Sequence, residues 1–481
     1  MSVRYTIPLI SALIMIVPVR AAAQPCAGDC DDDGAVSIND VIVAVNIALG
    51  RQPLAQCDAA DVNGDGSLTI NELIGAVRSA LDGCEPGGGD RLIFLGEEFR
   101  INTFTDNVQD RAAIAAAGSG EFIVTWESFG ADAFFFGVAA QRYSSSGDPL
   151  GGEFVVNSFT TNQQRFPTVA VNPAGDALVA WRTDDTPQSS DEQAFVTQLF
   201  DSAGNPVGGE SQLVAFAGLN ADVRTAASTR GDGFVVVWEE FDGDHTDIMG
   251  RIIDADGNPT DDSFLVNTYT TGAQAAPAVA GRAGRGFVVV WQSQNQDGSD
   301  WKAFGQRFDD AGQTVGGEFR VHADDAARQV DPAVAIDGDG RFTVAWINTA
   351  GALGNGVAVQ RFDGDGSPIG AAFVAGTAQL IQTGEPAIAA EPAGGFLVVW
   401  QSQGLKGPPT EFGIFARQFD SGGSAVGEEF QVNTHTPRSQ SLPAVAADDD
   451  GRFTVVWTSS GQDGDEGAAG GIYGQRLGPP E

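Results

Sequence analysis

Gly233-Phe234-Val235-Val236-Val237-Trp238 is an apolar run that ends on tryptophan, and its recurrence decides the fold class of this chain. Seven tryptophans end such runs and recur every 53 to 57 residues: Trp126, Trp181, Trp238, Trp291, Trp346, Trp400 and Trp457. Regular units of this size, rich in Gly-Asp turns and without helical periodicity, indicate four short strands each. We therefore expect a mainly β protein, a seven-bladed β-propeller; two stacked sandwiches would not explain seven equal periods.

Three further landmarks order the strands within each unit. They are Glu-Phe-x-Val-Asn (residues 153–157 and 429–433), Pro-Ala-Val-Ala (277–280, 332–335 and 443–446) and Gln-Arg-Phe-Asp (306–309 and 360–363). Turns such as residues 254–259 join the Gln-Arg-Phe type of strand to the Glu-Phe strand as hairpins, so both belong to one blade. The small-residue Pro-Ala-Val-Ala strand is then predicted to be innermost and the Glu-Phe strand outermost.

The two ends of the repeat region complement each other. The first unit starts with an outer strand alone, and the last unit ends at Leu477 without one. We predict that residues 92–102 complete the last blade, which leaves the ring without an open edge. The tryptophans, each at the end of a Val-rich strand, are expected to be buried between blades.

Two 12-residue segments near the N-terminus, residues 29–40 and 61–72, have the spacing of calcium loops. Oxygen ligands are placed at positions 1, 3, 5, 7, 9 and 12, with glycine at position 6 where the backbone turns sharply. We expect two calcium ions, held by Asp29, Asp31, Asp33, Ala35, Ser37 and Asp40 and by Asp61, Asn63, Asp65, Ser67, Thr69 and Glu72. The carbonyls of Ala35 and Ser67 are the backbone ligands.

Residues 28–81, with these paired loops and a helix expected after each at 40–49 and 72–81, resemble a type I dockerin. The resemblance implies an EF-hand-like calcium module and a cohesin-like or other secreted or surface protein as partner. It departs at loop positions 10 and 11, where dockerins usually carry Ser-Thr and this chain has Ile38-Asn39 and Ile70-Asn71. The repeats that follow resemble acidic repeats of bacterial secreted proteins, which supports the fold more than a function.

All four cysteines, Cys26, Cys30, Cys57 and Cys84, flank or lie within the paired loops. An even number in a small exported domain favours disulfides over free thiols, and no CxxC pair supports zinc. Of the three connectivities, we favour Cys26–Cys84 with Cys30–Cys57.

The N-terminal residues 1–23 have the features of a signal peptide: one basic residue, a short apolar stretch and Ala21-Ala22-Ala23. We therefore expect a secreted protein, extracellular or on the cell surface, with a dockerin-like domain at 24–84, a Gly-rich linker at 85–90 and the propeller at 91–478. No other segment approaches the ~20 apolar residues of a membrane-spanning helix. The formal charge of −38 makes nucleic acid and anionic membranes poor partners.

Catalytic residues are not evident along the repeats. The histidines, His245, His322 and His435, have no serine or cysteine nucleophile context. A catalytic propeller is expected to break the repeat with a reactive constellation, and abundant acidic residues leave a carboxylate pair possible in principle. The main hypothesis is a non-catalytic binding or scaffold protein, and the alternative is an extracellular polysaccharide-active hydrolase or lyase.

The loops that cross between blades and the loops after each tryptophan should share one rim, because strands alternate in direction. Four ring-bearing side chains in the crossing loops are candidate glycan contacts: Phe104, Phe159, Tyr269 and His435. Rings beside polar groups can stack on sugars. The simpler interpretation is that the aromatics pack between blades, and both interpretations stay open here.

Overall fold

The structure is a computed structural model that describes residues 28–31, 36–60, 68, 91–131, 135–184, 192–217, 225–241, 243–298, 300–323, 327–349, 351–376, 386–403, 411–463 and 470–480. The chain separates into two compact units, with the division between Gly89 and Asp90. No helix among these residues has the length and apolar character needed to cross a bilayer. The expected signal peptide and Gly-rich linker lie outside the described residues.

The described residues of the N-terminal unit form one α-helix, α1 (Ile38–Ala48), and two single-turn 3-10 helices, Leu54–Gln56 and Asp58–Ala60. A capping box starts α1, because the Ser37 side chain accepts from the Asn39 amide while Asp40 accepts from the Ser37 amide. The buried face of the helix packs on a small core that includes Ala44, Ile47, Cys57 and Ala60. The second expected helix, 72–81, lies outside the described residues, so the complete dockerin-like domain stays a prediction.

Residues 91–480 form a seven-bladed propeller of antiparallel sheets. Blade 1 contains β3 (Gln109–Ala116), β4 (Phe122–Phe129), β5 (Phe136–Tyr143) and β6 (Phe154–Val155). Blade 2 contains β7 (Gln164–Val171), β8 (Ala177–Thr183), β9 (Glu192–Phe200) and β10 (Pro206–Ala217). Blade 3 contains β11 (Thr225–Arg230), β12 (Gly233–Phe241), β13 (Thr246–Ile253) and β14 (Phe264–Leu265).

The remaining blades repeat this order. Blade 4 contains β15 (Gln274–Arg282), β16 (Gly286–Gln294), β17 (Trp301–Phe308) and β18 (Thr314–Arg320). Blade 5 contains β19 (Arg328–Ile336), β20 (Phe342–Thr349), β21 (Gly356–Phe362) and β22 (Pro368–Gly376). Blade 6 contains β23 (Ala387–Ala390), β24 (Phe396–Gln403), β25 (Phe412–Phe419) and β26 (Ala425–Gln431). Blade 7 contains β27 (Gln440–Ala447), β28 (Phe453–Ser460) and β29 (Gly470–Gly478), with β1 (Ile93–Phe94) and β2 (Phe99–Arg100) as its outer edge.

Strand order within the blades confirms the predicted arrangement. The first strand of each blade lies beside the first strand of the next, so β3, β7, β11, β15, β19, β23 and β27 surround the centre of the ring. The Pro-Ala-Val-Ala segment falls on β15, an innermost strand, and the Glu-Phe-x-Val-Asn segment falls on β6, an outermost one. Small side chains suit the inner position because the blades converge there.

The tryptophans form the core between neighbouring blades, as predicted. All seven in-register indoles are at most 1% exposed. Trp238 of blade 3, for example, packs on Phe195 of blade 2 with ring centroids 5.9 Å apart. Each Val-rich second strand is covered on both faces by adjacent blades, which explains its continuous apolar run without alternation.

The ring closes through the N-terminal strands. Phe99 pairs with Gly474 and Ile93 pairs with Gly478, so β1 and β2 complete blade 7. The Arg476 guanidinium also donates to backbone carbonyls of the blade 1 turn, at Ser145 and Ser146. This closure was predicted from the sequence, and it covers the edge that β29 would otherwise expose.

The Gln-Arg-Phe-Asp landmark is explained by packing between strands and blades. In blade 5, Gln360 Nε2 donates to the Gly370 carbonyl of the outer strand, and Arg361 donates to the Ser421 carbonyl of blade 6. In blade 4, the carboxylate of Asp309 accepts from two amides of its own turn, those of Ala311 and Gln313. Repeated turns of this kind place many acidic residues in structural roles.

Candidate functional site

The first predicted calcium loop brings three carboxylates together. Oxygen atoms of Asp29, Asp31 and Asp40 all lie within 4.8 Å of one another. Burial of Asp40 raises its pKa, but hydrogen bonds from the Ser37 hydroxyl and amide and from the Cys30 amide outweigh burial and lower the pKa overall. An ionised cluster of this size is chemically suited to a hard cation. The other ligands of this loop, Asp33 and Ala35, and the second loop's Asp61, Asn63, Asp65, Ser67, Thr69 and Glu72 lie outside the described residues.

A disulfide secures this loop to the rest of the unit. Cys30 and Cys57 are joined with an S–S distance of 2.11 Å, which confirms one half of the favoured connectivity. Cys26 and Cys84 lie outside the described residues. A structural disulfide is typical of proteins that fold in an oxidising compartment.

The predicted rim aromatics occupy one repeated position on four different crossing loops. Phe104, Phe159, Tyr269 and His435 are each half-buried, and the backbone carbonyl of each accepts from the side-chain amide of the landmark Asn two residues earlier, at 2.7 to 3.1 Å. These loops precede blades 1, 2, 4 and 7, so the four rings are distributed around the rim and do not form one site. Whether any of them contacts a glycan stays a prediction.

A different repeated feature lies nearer the centre of the ring. Five innermost strands, β3, β7, β15, β19 and β27, carry a bulge whose central residue has a positive φ, as at Phe166 (57°) and Ala276 (52°). The bulge turns one backbone N–H away from the strand ladder, and this amide needs an acceptor. The residue after the tryptophan of the preceding blade supplies it: Glu127 accepts from the Phe166 amide at 2.8 Å and Glu239 accepts from the Ala276 amide at 2.7 Å.

This interblade hydrogen bond is made by amide side chains elsewhere. Gln292 accepts from the Asp331 amide at 2.9 Å, and Gln401 accepts from the Leu442 amide at 2.7 Å. A neutral oxygen therefore suffices for the structural role. Glutamate at position 127 adds a negative charge that the hydrogen bond itself does not require.

Two arginines interact with the charge of Glu127. Arg165 donates from Nε and Nη2 to Glu127 Oε2 at 3.1 and 3.0 Å, and Arg111 Nε lies 3.9 Å from Oε1. The Phe166 ring lies among three guanidinium groups, with the Cζ atoms of Arg111, Arg182 and Arg165 at 4.8, 5.0 and 5.2 Å from its centroid. We call Arg111, Glu127, Arg165, Phe166 and Arg182 the arginine cluster.

Aromatic side chains continue from the arginine cluster into the loop after Trp126. Arg165 Cζ lies 4.6 Å from the Phe136 ring, and Phe136 packs edge-on against Phe129 at 5.1 Å. Phe135, beside them in sequence, is 45% exposed. Guanidinium groups next to an exposed phenyl ring combine ionic recognition with a stacking surface.

Burial dominates the electrostatics of Glu127, whose side chain is fully covered. Burial raises the pKa of its carboxyl, while Arg165, the Phe166 amide and Arg111 oppose the shift. A covered carboxyl cannot reach a substrate, so Glu127 is a positioning residue that holds Arg165 and the bulge at Phe166.

Two more accessible carboxylates flank the arginine cluster. Asp110 precedes Arg111 and accepts from its amide and from the Thr458 hydroxyl of blade 7, at 2.8 and 2.9 Å. Asp184 Oδ1 lies 3.0 Å from Arg182 Nη2 and has a side chain 14% exposed. These are the carboxylates next to the cluster that could exchange protons with a bound molecule.

Neither the arginine cluster nor its carboxylates were predicted from the sequence. A signal was nevertheless present, because Arg165-Phe166 replaces the Ala275-Ala276 of blade 4, and Phe134-Phe135-Phe136 is a run of three aromatics that no other unit has. The landmarks are features that the repeats share, whereas the site arises where one repeat departs from the others.

No protein-family model and no curated protein matches the chain. Solved structures do match. An ulvan lyase of a polysaccharide lyase family has 10% identity over 80% of this chain and 96% of its own, with a TM-score of 0.49. The α-L-arabinofuranosidase of Fusarium graminearum has 12% identity over 79% and 98%, with a TM-score of 0.44. The intramolecular trans-sialidase of Ruminococcus gnavus has 10% identity over 81% and 97%, with a TM-score of 0.42.

These matches correct the main functional hypothesis. A non-catalytic binding or scaffold protein was expected, but these three among the matching structures are enzymes named for action on glycans. At such low identity the likeness supports the fold alone and transfers no residue or substrate.

Proposed function

We propose that the propeller is an extracellular polysaccharide-active enzyme, a hydrolase or a lyase, whose active centre is at the arginine cluster between blades 1 and 2. The observation that carries the proposal is the break in the repeat. The interface between blades 3 and 4 makes the same interblade hydrogen bond with Ala275 and Ala276 alongside it, whereas this interface has Arg165 and Phe166. The bulge hydrogen bond forms beside alanines in blade 4, so it does not depend on Arg165 and Phe166, which favours a ligand-binding role for these two residues.

Asp110 and Asp184 are proposed as the proton-transfer groups. Both hydrolysis and lyase elimination need a side chain that gives or takes a proton at the scissile bond. Asp110 is oriented by Thr458, and Asp184 is oriented by Arg182 and by Gln193 Nε2 at 3.1 Å. Fixed hydrogen bonds of this kind reduce the reorganisation needed during catalysis.

The test is turnover by the full chain of a panel of plant, algal and bacterial polysaccharides. New reducing ends report both reactions, and ultraviolet absorbance of unsaturated uronates reports elimination. Asp110→Asn and Asp184→Asn should each lower kcat/KM by about 100-fold or more. Asp297→Asn is the matched control, because Asp297 is 18% exposed and also lies 3.0 Å from an arginine, Arg320, after the tryptophan of blade 4.

Wild-type protein that leaves the whole panel intact would contradict the proposal. So would wild-type rates in both cluster variants, and so would an equal loss in Asp297→Asn, since that outcome indicates a general effect on the rim.

We also propose that the N-terminal unit binds calcium in a dockerin-like module that attaches the protein to a cohesin-like or other surface receptor. The specific observation is the convergence of Asp29, Asp31 and Asp40 beside the Cys30–Cys57 disulfide. The disulfide and the predicted signal peptide together support export.

Calorimetric titration of the full chain with calcium tests the metal proposal. Two ions are expected for the wild type and one for Asp31→Asn, whose exposed carboxylate takes no part in capping α1. Asp261→Asn, an exposed carboxylate of a propeller turn, should leave the stoichiometry unchanged. Absence of any chelator-sensitive binding would overturn the calcium proposal and leave the propeller proposal intact.

A further inference from the structure

The arginine cluster has more hydrogen-bond donors than its carboxylate can accept. Glu127 Oε2 is occupied by Nε and Nη2 of Arg165, and Oε1 is occupied by the Phe166 amide. Arg111 Nε, at 3.9 Å, is beyond hydrogen-bond distance, and it is buried without an acceptor among the described residues. One carboxylate thus serves two guanidinium groups.

Packing alone does not account for this surplus. A buried donor without a partner costs about 1–3 kcal/mol, so such groups are uncommon unless something satisfies them. The interface of blades 3 and 4 has Ala275 and Ala276 at the positions that Arg165 and Phe166 occupy here. At the interface of blades 1 and 2 the surplus lies beside the exposed aromatic loop of the proposed active centre.

The cluster is preorganised to receive an anion. Arg165 is held by two hydrogen bonds to Glu127 and lies between Phe136 and Phe166, at 4.6 and 5.2 Å from their ring centroids. Its side chain is 27% exposed and that of Arg111 is 35% exposed, so both are accessible from solvent. A fixed planar guanidinium loses little entropy on binding a carboxylate or a sulfate, which it matches with paired N–H groups.

We infer that Arg111 and Arg165 bind an acidic group of a saccharide, a uronate carboxylate or a sulfate ester, while the phenyl rings of the adjoining loop contact the sugar. The inference rests on the proposed function and names its substrate class. Sugar chemistry is favoured over a phosphorylated or nucleic-acid ligand because the chain as a whole has a charge of −38. Nucleic acid needs a broad basic surface to neutralise its phosphates, whereas recognition of one acidic group of a short saccharide needs only the local guanidinium groups.

The experiment measures binding of short oligosaccharides to the full chain. Each acidic probe is paired with its neutral counterpart: galacturonate, glucuronate and mannuronate oligomers with their methyl esters, and sulfated galactan oligomers with desulfated ones. These arms separate a carboxylate from a sulfate as the recognised group. At least one acidic probe should bind 10-fold or more tightly than its neutral partner.

Arg111→Gln tests the assignment to residues. It should remove most of that 10-fold preference while changing affinity for the neutral partner little. Arg282→Gln is the matched control, because Arg282 is also on an inner strand, is also 35% exposed and lies 3.8 Å from a carboxylate, that of Asp449. It should retain the preference.

Equal affinity for every acidic probe and its neutral partner would overturn the inference, as would binding of none of the acidic probes, or a preference that Arg111→Gln leaves intact. Turnover of a neutral polysaccharide with such results would leave the proposed function standing. Acid-specific binding without turnover of any bound polymer would support the inference and overturn the enzymatic proposal.

Discussion

At the interface of blades 1 and 2, Glu127 accepts a hydrogen bond from the Phe166 amide at 2.8 Å; at the interface of blades 3 and 4, Glu239 accepts one from the Ala276 amide at 2.7 Å. The backbone geometry is the same, with positive φ at both bulges. The side chains around the two bulges differ. Three guanidinium groups surround Phe166, whereas the residue before Ala276 is another alanine. The comparison teaches that one side-chain oxygen satisfies the bulge amide at both interfaces, and that the side chains near the oxygen are available for function.

The largest expected difference between the two interfaces comes from removing the oxygen and its charge. Glu127→Ala leaves the Phe166 amide and Arg165 without their shared acceptor, and two hydrogen bonds to a charged group at about 1.5–3 kcal/mol each give an expected loss of about 3–5 kcal/mol. Glu239→Ala should cost about 1.5–3 kcal/mol, the range for a hydrogen bond to a charged group. Urea unfolding followed by tryptophan fluorescence measures the propeller alone, because all eight tryptophans lie in it.

Equal losses in these two variants would show that the arginines do not depend on Glu127. A larger loss in Glu239→Ala would reverse the comparison altogether.

A smaller, pH-dependent effect should distinguish charge from hydrogen bonding at position 127. Glu127→Gln keeps an acceptor for the Phe166 amide, as Gln292 does at its own interface. Burial raises the pKa of Glu127 above the usual 4.5, so the native state takes up its proton more readily than the unfolded state. The stabilisation from that proton is fully present below pH 4.5 and is lost as the pH rises through the raised pKa.

The measurement is the unfolding free energy of wild type minus that of Glu127→Gln across the acid range. The difference should decline with increasing pH just above 4.5. A difference that instead grows with pH would mean that Arg165 and Arg111 outweigh burial and keep the carboxyl ionised.

The smallest expected effect is at the plain interface. Ala276 has φ of 52°, a conformation that costs an L-residue free energy and that glycine adopts freely. Ala276→Gly should therefore change stability by no more than ~1 kcal/mol, with relief of strain offset by the larger entropy of the unfolded chain. A melting temperature much lower in Ala276→Gly than in the wild type would show that packing of the Ala276 methyl group stabilises the interface.

The fold of the propeller could be predicted from the sequence, and the candidate functional site could not. The tryptophan period, the small-residue inner strand and the unpaired first and last strands were sufficient for the blade count, the strand order and the closure by β1 and β2. These features could be predicted because they repeat, and each repeat is evidence for the others. Cys30–Cys57 could be favoured because so few pairings are available to four cysteines.

The arginine cluster could not be predicted by the same means. Arg111 and Arg165 belong to successive repeats, and only the contact between β3 and β7 brings them to one carboxylate. The bulge that places Phe166 among them has no residue signature, because phenylalanine, alanine and leucine all adopt it, at Phe166, Ala276 and Leu442.

The sequence by itself determined the ring: seven apolar runs, each too hydrophobic to face water, can be buried together only if every blade packs between two others. Tertiary structure alone decided where the chain could do chemistry. A functional site depends on which few side chains converge, and convergence at Glu127 follows from the bulge geometry and the meeting of adjacent inner strands. The landmarks that reveal the ring lie within each repeat, whereas the arginine cluster forms only where two repeats are in contact.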